Sequence, residues 1–267
     1  MSSLSQKYGP WALVTGATSG IGEELALQAA EKGLNIVLVA RNKDELEQSA
    51  HKIMTKYGVQ THSIATDLSK QDDIARLFEQ TQHLDIGLLI LSAAVEVTGA
   101  FEKNDLAREL QMIDLNVKAT MQLTHHYVKP MVARKQGGVL MLASLSGQMP
   151  NPYLASYAGT KAYVINFGAS LYGELKSKGV DVTVLSPGLT ITPMSKAVPV
   201  DWNKTPMKAM EARDVAAVGL GAIGKKALVV PGARNTMMAI MSKLTPVALA
   251  SKMNAVMMRK AIKPELL

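Results

Sequence analysis

The feature that most limits how this chain can fold is a repeated alternation of short apolar runs with longer amphipathic stretches. The apolar runs are rich in Val, Ile and Leu, as expected for strands that are buried on both faces. They are Trp11–Thr15, Asn35–Val39, Gln60–Ala65, Ile86–Leu91, Val139–Ala143, Val180–Leu185 and the shorter Ala227–Val230. The stretches with helical spacing are about 20–32, 43–57, 70–82, 104–133, 153–178 and 211–223.

Repeated strand–helix–strand order requires parallel pairing with right-handed crossovers, which place helices on both faces of a sheet. We therefore predict an α/β fold: a Rossmann-type doubly wound parallel sheet of about seven strands, in a single domain over residues 1–267. Within that domain, residues 189–210 contain three prolines and are predicted to form a substrate loop. Residues 233–267 are predicted to form a C-terminal helical extension, divided by Pro246.

The charge of the chain is concentrated at one end. The net charge is +7, but residues 1–195 hold 17 Lys or Arg and 18 Asp or Glu, whereas residues 196–267 hold 12 and 4. Because most of the chain is nearly neutral, we expect no nucleic-acid partner. The apolar runs are too short to span a membrane and the first ten residues do not resemble a signal peptide, so we expect a cytoplasmic protein.

Metal and cysteine chemistry are not expected. The chain has no cysteine, which excludes disulfides, a cysteine nucleophile and thiolate metal ligands. His125 and His126 are adjacent in a predicted helix and point to different sides, so they do not make a metal pair.

A glycine-rich turn follows the first predicted strand and opens a helix, with the sequence Thr15-Gly16-Ala17-Thr18-Ser19-Gly20-Ile21-Gly22. Backbone N–H groups at a helix N-terminus bind phosphates, and side chains there would block their approach. We expect Gly16 to permit the tight turn, Gly20 the approach of a pyrophosphate, and Gly22 the packing of helix on strand. An ordinary turn is the alternative, but the strand–turn–helix context favours a dinucleotide site.

The end of the second predicted strand indicates which dinucleotide binds. NAD-specific folds place an acidic residue here, but this chain has Arg41, whose guanidinium suits a 2′-phosphate. The sequence therefore predicts NADP(H), with a solvated helix-start charge as the alternative. Asp67, after the third strand, is predicted to lie near the adenine, and a helix-capping role is the competing explanation.

Tyr157 and Lys161 are four residues apart, so they share one face of a predicted helix. A nearby ammonium favours a phenolate and lowers the pKa of a tyrosine, which suits it to acid–base catalysis. Ser144 lies thirteen residues before Tyr157, at the carboxyl end of a strand, where open α/β sheets bind their ligands. Taken alone, the Tyr–Lys spacing is common on surface helices.

This ordered set resembles the short-chain dehydrogenase/reductase family over roughly residues 10–232. The resemblance implies an NADP(H)-dependent oxidoreductase that interconverts a carbonyl and a secondary alcohol. It implies that Tyr157 is the general acid/base and that Ser144 binds the substrate oxygen. It further implies that Lys161 lowers the Tyr157 pKa and binds the ribose, and that Asn116 holds a water in a proton relay.

The resemblance and the glycine-rich turn together predict one set of cofactor residues, which contribute backbone groups, small side chains or polar groups. They are Gly16, Thr18, Ser19, Gly20, Ile21, Gly22, Arg41, Asp67, Leu68, Ser92, Ala93, Tyr157, Lys161, Pro187, Gly188, Thr190 and Thr192. One departure stands out: the family has Asn-Asn-Ala-Gly after the fourth strand, and this chain has Leu91-Ser92-Ala93-Ala94. We expect Ser92 to supply part of the lost hydrogen bonding.

The substrate prediction is an apolar carbonyl or alcohol compound, with Met194, Trp202, Met207 and Met210 in the pocket wall. The alternatives are a 3-oxoacyl-thioester reductase and a non-enzymatic NADP(H)-binding regulator. The resemblance also implies a homodimer or homotetramer built on the helices near 104–133 and 153–178.

The basic, Met-rich C-terminal region is predicted to contact a membrane surface or the anionic head of an acyl carrier. Packing of its apolar stripes onto the domain or onto a second subunit is the alternative.

Overall fold

A computed structural model describes residues 4–267 of the chain, and its centre is a seven-stranded parallel sheet. The strands are β1 (Trp11–Thr15), β2 (Asn35–Ala40), β3 (Thr61–Ala65), β4 (Ile86–Leu91), β5 (Gly137–Leu142), β6 (Val180–Leu185) and β9 (Leu228–Val229), and a separate pair consists of β7 (Thr190–Ile191) and β8 (Met210–Glu211). The order in the large sheet is β3-β2-β1-β4-β5-β6-β9. The doubly wound fold predicted from the sequence is therefore confirmed.

Helices cover both faces of this sheet and enclose two apolar cores. They are α1 (Leu4–Tyr8), α2 (Gly20–Glu31), α3 (Lys43–Tyr57), α4 (Gln71–Thr81), α5 (Leu106–Ile113), α6 (Thr120–Ala133), α7 (Ala155–Lys176), α8 (Pro193–Ala197), α9 (Ala212–Ala222), α10 (Ala233–Leu244) and α11 (Val247–Ala261). Helices α2, α3 and α9 pack on one face of the sheet, and α4, α6 and α7 pack on the other. Successive strand residues point to opposite faces, so Leu13 belongs to one core and its neighbours Ala12 and Val14 to the other.

The predicted helix over 104–133 is divided in two. Helices α5 and α6 are joined by a π-helical stretch, Asp114–Ala119, in the middle of that range. Such stretches are rare and are frequently found at functional sites. This one contains Asn116, which is 1 % exposed.

Residues 189–210 lie outside the large sheet, between β6 and helix α9. They contain β7, the short helix α8, a 3₁₀ turn at Trp202–Lys204 and the start of β8. Thr192 and Ser195 form a reciprocal capping box at the start of α8. An antiparallel bridge between Val200 and Ile262 ties this segment to the C-terminal helices.

The N-terminal helix α1 is fixed to the sheet by a charged cluster around Asp181. Tyr8 donates a hydrogen bond to one carboxylate oxygen of Asp181 at 2.7 Å, and Lys7 forms an ion pair with the same oxygen at 2.6 Å. Lys176 pairs with the other oxygen at 2.7 Å. Burial, the largest influence, raises the pKa of Asp181, but these three contacts prevail and lower it to about 2.

Candidate active site

A cavity of about 720 Å³ opens at the carboxyl ends of the central strands, where the strand order changes direction between β1 and β4. Every predicted cofactor residue lines it, as do the predicted catalytic residues Ser144, Tyr157 and Lys161. Asn116 is the exception, because it lies buried behind the cavity wall. The fold has therefore brought together predicted site residues that are up to 176 positions apart in the chain, from Gly16 to Thr192.

The glycine-rich turn between β1 and α2 is closely packed against the neighbouring loop. Gly16 has a φ of +66°, and a Cβ there would lie 3.0 Å from the backbone of Ala93. A Cβ on Gly22 would lie 2.1 Å from the carbonyl oxygen of Gly16. The first turn of α2 can therefore lie against the end of β1 only with glycine at this position, and Gly20, Ile21 and Gly22 line the cavity.

The loop after β4 holds its shape without the family's usual asparagine. Thr15, at the end of β1, accepts hydrogen bonds through Oγ1 from the N–H groups of Ser92 at 3.0 Å and Ala93 at 3.1 Å. Thr15 is 1 % exposed, so these bonds are shielded from water. The backbone of this loop is thus fixed by a neighbouring threonine.

The end of the cavity beside β2 carries the groups predicted to bind the adenosine half of the cofactor. Arg41 is exposed there, and within residues 4–267 its guanidinium forms no ion pair. Asp67 accepts hydrogen bonds from the backbone N–H and the hydroxyl of Ser69 at 3.1 and 2.7 Å. Burial raises the Asp67 pKa, but those bonds and the charges of Lys70 and Arg41 hold it below its ordinary value.

Asp67 does not cap helix α4, which was the competing explanation from the sequence. The N-cap residue of α4 is Lys70, and the Asp67 carboxylate instead closes the short turn that precedes it. The carboxylate remains in the cavity wall beside Leu68.

Tyr157 and Lys161 face the cavity from the first turns of α7, and Ser144 approaches them from the end of β5. Lys161 is 4 % exposed and donates from Nζ to the carbonyl oxygen of Leu142 at 2.9 Å. Its Nζ lies 5.7 Å from the centroid of the Tyr157 ring. A Cβ on Gly147 would lie 2.5 Å from the backbone of Lys161, so a glycine is required for the turn that carries Ser144 to pack this closely on α7.

Burial controls the protonation of this pair. It raises the pKa of Tyr157, the charge of Glu96 raises it further, and the Ser144 hydroxyl acts to lower it. Burial also lowers the pKa of Lys161 to about 8, although Glu96 acts in the opposite direction. Lys161 is not among the groups that lower the Tyr157 pKa here, so that effect stays a prediction.

Asn116 is engaged with its neighbours through the whole of its side-chain amide. Its Oδ1 accepts from the N–H of Val95 at 3.0 Å, and its Nδ2 donates to the Val95 carbonyl at 2.9 Å and to Thr160 Oγ1 at 3.2 Å. Asn116 thus joins the loop after β4 to helix α7. A water held by Asn116 in a proton relay stays a prediction.

The substrate side of the cavity is formed by the segment after β6. Met194, Trp202 and Met207 line it, whereas Met210 lies outside it, beside Gly232 and Asn235. Sequence reasoning missed several polar residues in the cavity lining, and two of them are Glu96 and Gln111. Both lie in segments without a motif, and only the packing of the loops brings them to the cavity.

The fold and the cavity define a nucleotide-dependent oxidoreductase of the doubly wound α/β class. The family model for short chain dehydrogenases matches residues 10–202. The chain belongs to that family.

Known relatives agree with this assignment. The chain is 36 % identical over 234 residues to a 7β-hydroxysteroid dehydrogenase of Clostridium sardiniense, covering 87 % of this chain and 89 % of the relative. It is 37 % identical over 200 residues to a very-long-chain 3-oxoacyl-CoA reductase of Laccaria bicolor, covering 73 % of this chain and 59 % of that protein.

Solved structures are similar over most of the chain. A structure from work on 7β-hydroxysteroid dehydrogenase stereoselectivity superimposes with a TM-score of 0.87 and 26 % identity, covering 95 % of this chain and 99 % of the other. A short-chain dehydrogenase from Sphingobium yanoikuyae in complex with NADPH gives a TM-score of 0.79 and 26 % identity, covering 88 % and 95 %.

Proposed function

We propose that this protein is an NADP(H)-dependent oxidoreductase that interconverts a carbonyl and a secondary alcohol on an apolar substrate. The observation that carries the proposal is the meeting of Ser144, Tyr157 and Lys161 in the cavity that also contains the glycine-rich turn. A sensor that only binds the dinucleotide would not need an acid–base group beside a hydroxyl donor. The regulator alternative is therefore disfavoured.

In the direction of reduction, a nicotinamide held in this cavity would supply the hydride that the carbonyl carbon accepts. Ser144 and Tyr157 would hold the carbonyl oxygen by hydrogen bonds, and Tyr157 would give it its phenolic proton. Because burial favours the neutral phenol, Tyr157 holds that proton until negative charge develops on the oxygen. Lys161, fixed to the Leu142 carbonyl, would bind the ribose and return a proton to Tyr157.

The choice of NADP(H) over NAD(H) rests on Arg41. Its guanidinium is exposed beside Asp67 and has no partner in the described part of the chain, so it is available for a 2′-phosphate. The N–H groups at the start of α2 and the space left by Gly16 fit a pyrophosphate. NADPH in the similar Sphingobium yanoikuyae structure agrees with this choice.

An apolar substrate is supported by the side chains of the segment after β6, where Met194, Trp202 and Met207 line the cavity. A steroid substrate and a 3-oxoacyl thioester both agree with the names of the relatives. A 3-oxoacyl-thioester reductase is kept as the second candidate function.

No nucleic-acid partner and no resident metal is proposed, and a cytoplasmic location stays a prediction.

The test of the proposal is NADPH oxidation with a panel of steroid ketones, 3-oxoacyl thioesters and simple aliphatic ketones, run with the wild type and with Tyr157→Phe. We expect turnover by the wild type and a loss of at least a hundredfold in kcat for the variant, with NADPH affinity retained. Tight NADPH binding without turnover of any compound would instead support the regulator.

We also propose that the exposed face of the C-terminal helices binds an anionic membrane surface. Eight large apolar side chains on α10 and α11 are at least half exposed: Met237, Ile240, Met241, Leu244, Val247, Leu249, Met253 and Val256. Residues 233–267 also carry six Lys or Arg and one Glu. A second copy meeting this face across a twofold axis would place like charges together, whereas anionic lipid would match both the charge and the apolar side chains. Among residues 4–267, none of the helices has both the length and the apolar character that are needed to span a membrane.

Flotation with vesicles tests this surface. Vesicles of equal parts phosphatidylcholine and phosphatidylglycerol should carry the wild type upward, and pure phosphatidylcholine should carry much less. A triple change of Met237, Ile240 and Leu244 to Ser should abolish flotation, while Leu106→Ser with Leu110→Ser on the exposed face of α5 should not. Equal flotation of all variants would contradict membrane binding, and binding to an acidic acyl carrier without binding to vesicles would favour the acyl carrier as the partner.

A homodimer or homotetramer through α5, α6 and α7 stays a prediction.

A further inference from the structure

Glu96 places a carboxylate in the wall of the catalytic cavity, in the loop that follows β4. It lines the same space as Ser144, Tyr157 and Lys161, and the apolar side chains of Leu154 and Trp202 lie in that wall too. A charged group in partly apolar surroundings loses favourable hydration, so such a position is expensive unless the group has a partner or a task.

The known partners of Glu96 use only part of its hydrogen-bonding capacity. Thr98 donates from its hydroxyl to Glu96 Oε1 at 2.9 Å. Within residues 4–267, no hydrogen bond reaches Oε2 and no Lys, Arg or His lies within ion-pair distance of the carboxylate. A carboxylate oxygen with free acceptor capacity is therefore available in the cavity wall.

This carboxylate lines the same cavity as the acid–base pair of Tyr157 and Lys161. In agreement with that placement, its charge acts to raise the pKa of both groups. Its backbone follows directly on Val95, which Asn116 binds through both its N–H and its carbonyl. The acceptor is thus held in place before any substrate arrives, as a specificity-determining group must be.

We propose that Glu96 forms a hydroxyl-binding subsite, so that the preferred substrate is an otherwise apolar compound with a second hydroxyl group near its reacting carbon. This inference rests on the proposed function and names a chemical feature of its substrate. A neutral donor fits better than an ammonium, because Lys161 already carries positive charge nearby. An anionic group would be repelled by the carboxylate.

Binding of matched alcohols to the NADPH complex, measured by calorimetry, tests the subsite without any turnover. The probes are 1,2-octanediol, 2,4-octanediol and 2-octanol, which share an apolar chain and differ in the second hydroxyl. We expect at least one diol to bind the wild type about tenfold more tightly than 2-octanol, as a hydrogen bond to a charged group requires. Glu96→Ala should remove that preference, so that the diol and 2-octanol bind with similar affinity, and Glu96→Gln should give an intermediate ratio.

Thr98→Val is the matched control, because it removes the neighbour of Glu96 and keeps the carboxylate. It should retain the preference for the diol. Equal binding of diols and 2-octanol by the wild type, or equal weakening of all probes by Glu96→Ala, would overturn the subsite. Tighter binding of 1-amino-2-octanol than of 1,2-octanediol would also overturn it, in favour of a cationic group. Tyr157-dependent ketone turnover is a separate measurement, so failure of the subsite and failure of the proposed function are distinguishable.

Discussion

Asn116 binds the backbone of Val95 through both of its amide atoms, accepting from the N–H at 3.0 Å and donating to the carbonyl at 2.9 Å. The two residues are 21 positions apart, on the π-helical stretch and on the loop after β4. The contact fixes the loop that carries Glu96 against helix α7, where Tyr157 and Lys161 lie. A residue expected from the family to hold a water therefore also shapes the cavity wall.

This contact predicts that Asn116→Leu lowers both stability and turnover. The substitution leaves the partly buried N–H and carbonyl of Val95 without partners, at a cost of about 2 to 4 kcal/mol in the free energy of unfolding. We expect kcat to fall by at least tenfold where the protein is folded, because Glu96 and the cavity wall move. Urea unfolding and steady-state kinetics measure both effects.

Thr124→Val provides the matched control for Asn116→Leu. Thr124 lies in α6 and is buried, as Asn116 is in the preceding π-helical stretch. The Thr124 hydroxyl donates a hydrogen bond to the Thr120 carbonyl at 2.7 Å, one turn earlier in the same helix. Its loss should cost about 1 kcal/mol and leave kcat unchanged. If both variants behave alike, Asn116 has no particular role in shaping the site.

The sheet and the Tyr–Lys pair could be predicted because their signals are local. The apolar runs predict the ends of every strand in the large sheet to within about two residues. The spacing of Tyr157 and Lys161 predicts that they share one helix face, and both lie on α7. Strands β7 and β8 have two residues each, too few for a periodic pattern. The contact between Asn116 and Val95, which joins the π-helical stretch to the loop that carries Glu96, links distant parts of the chain, and no local pattern reveals it.

Lys161 is predicted to reduce the stability of the fold, because its ammonium is buried. Burial lowers its pKa from 10.5 to about 8, so at pH 7 the folded protein carries a penalty of up to about 3 kcal/mol. Lys161→Met should raise the free energy of unfolding at pH 7 while abolishing activity. The gain should shrink as the pH rises from 8 to 10.5, because the wild-type lysine then becomes neutral in the folded state.

Urea unfolding at pH 7 and at pH 10 measures this gain. Lys178→Met is the control, because Lys178 is exposed in the turn after α7 and its replacement should change stability by less than about 0.5 kcal/mol. A loss of stability in Lys161→Met at pH 7 would mean that the bond to the Leu142 carbonyl outweighs the burial of the charge.

Arg41 is predicted to set the preference for the cofactor. Arg41→Ala removes the guanidinium expected to meet the 2′-phosphate, and the loss of a charge-assisted contact corresponds to about 10- to 100-fold in kcat/KM for NADPH. The kcat/KM for NADH should change by less than threefold. Kinetics with both cofactors give the ratio directly, with Lys43→Ala, an exposed lysine nearby, as the control. Equal losses with NADPH and NADH would show that Arg41 does not read the phosphate.

Asp181 is predicted to make the attachment of α1 sensitive to acid. Its pKa is about 2 in the folded protein and about 3.9 when unfolded, so the cluster contributes about 2 to 3 kcal/mol to stability. That contribution is fully present above about pH 5 and is lost as the pH falls through the folded value. Asp181→Asn should therefore destabilise the protein by about that amount at pH 7 and by much less at pH 2.5, in urea unfolding at both pH values.

Asp85→Asn is the control for Asp181→Asn, because it removes the carboxylate of an ordinary surface ion pair. Asp85 forms an ion pair with Arg134, but its side chain is 51 % exposed, so solvent screens the attraction. Its replacement should cost at most about 1 kcal/mol. The difference between the two variants at pH 7 comes from burial, because the Asp181 carboxylate is 12 % exposed and accepts from Tyr8, Lys7 and Lys176. Similar losses in both variants would show that burial of the Asp181 cluster adds nothing to its strength.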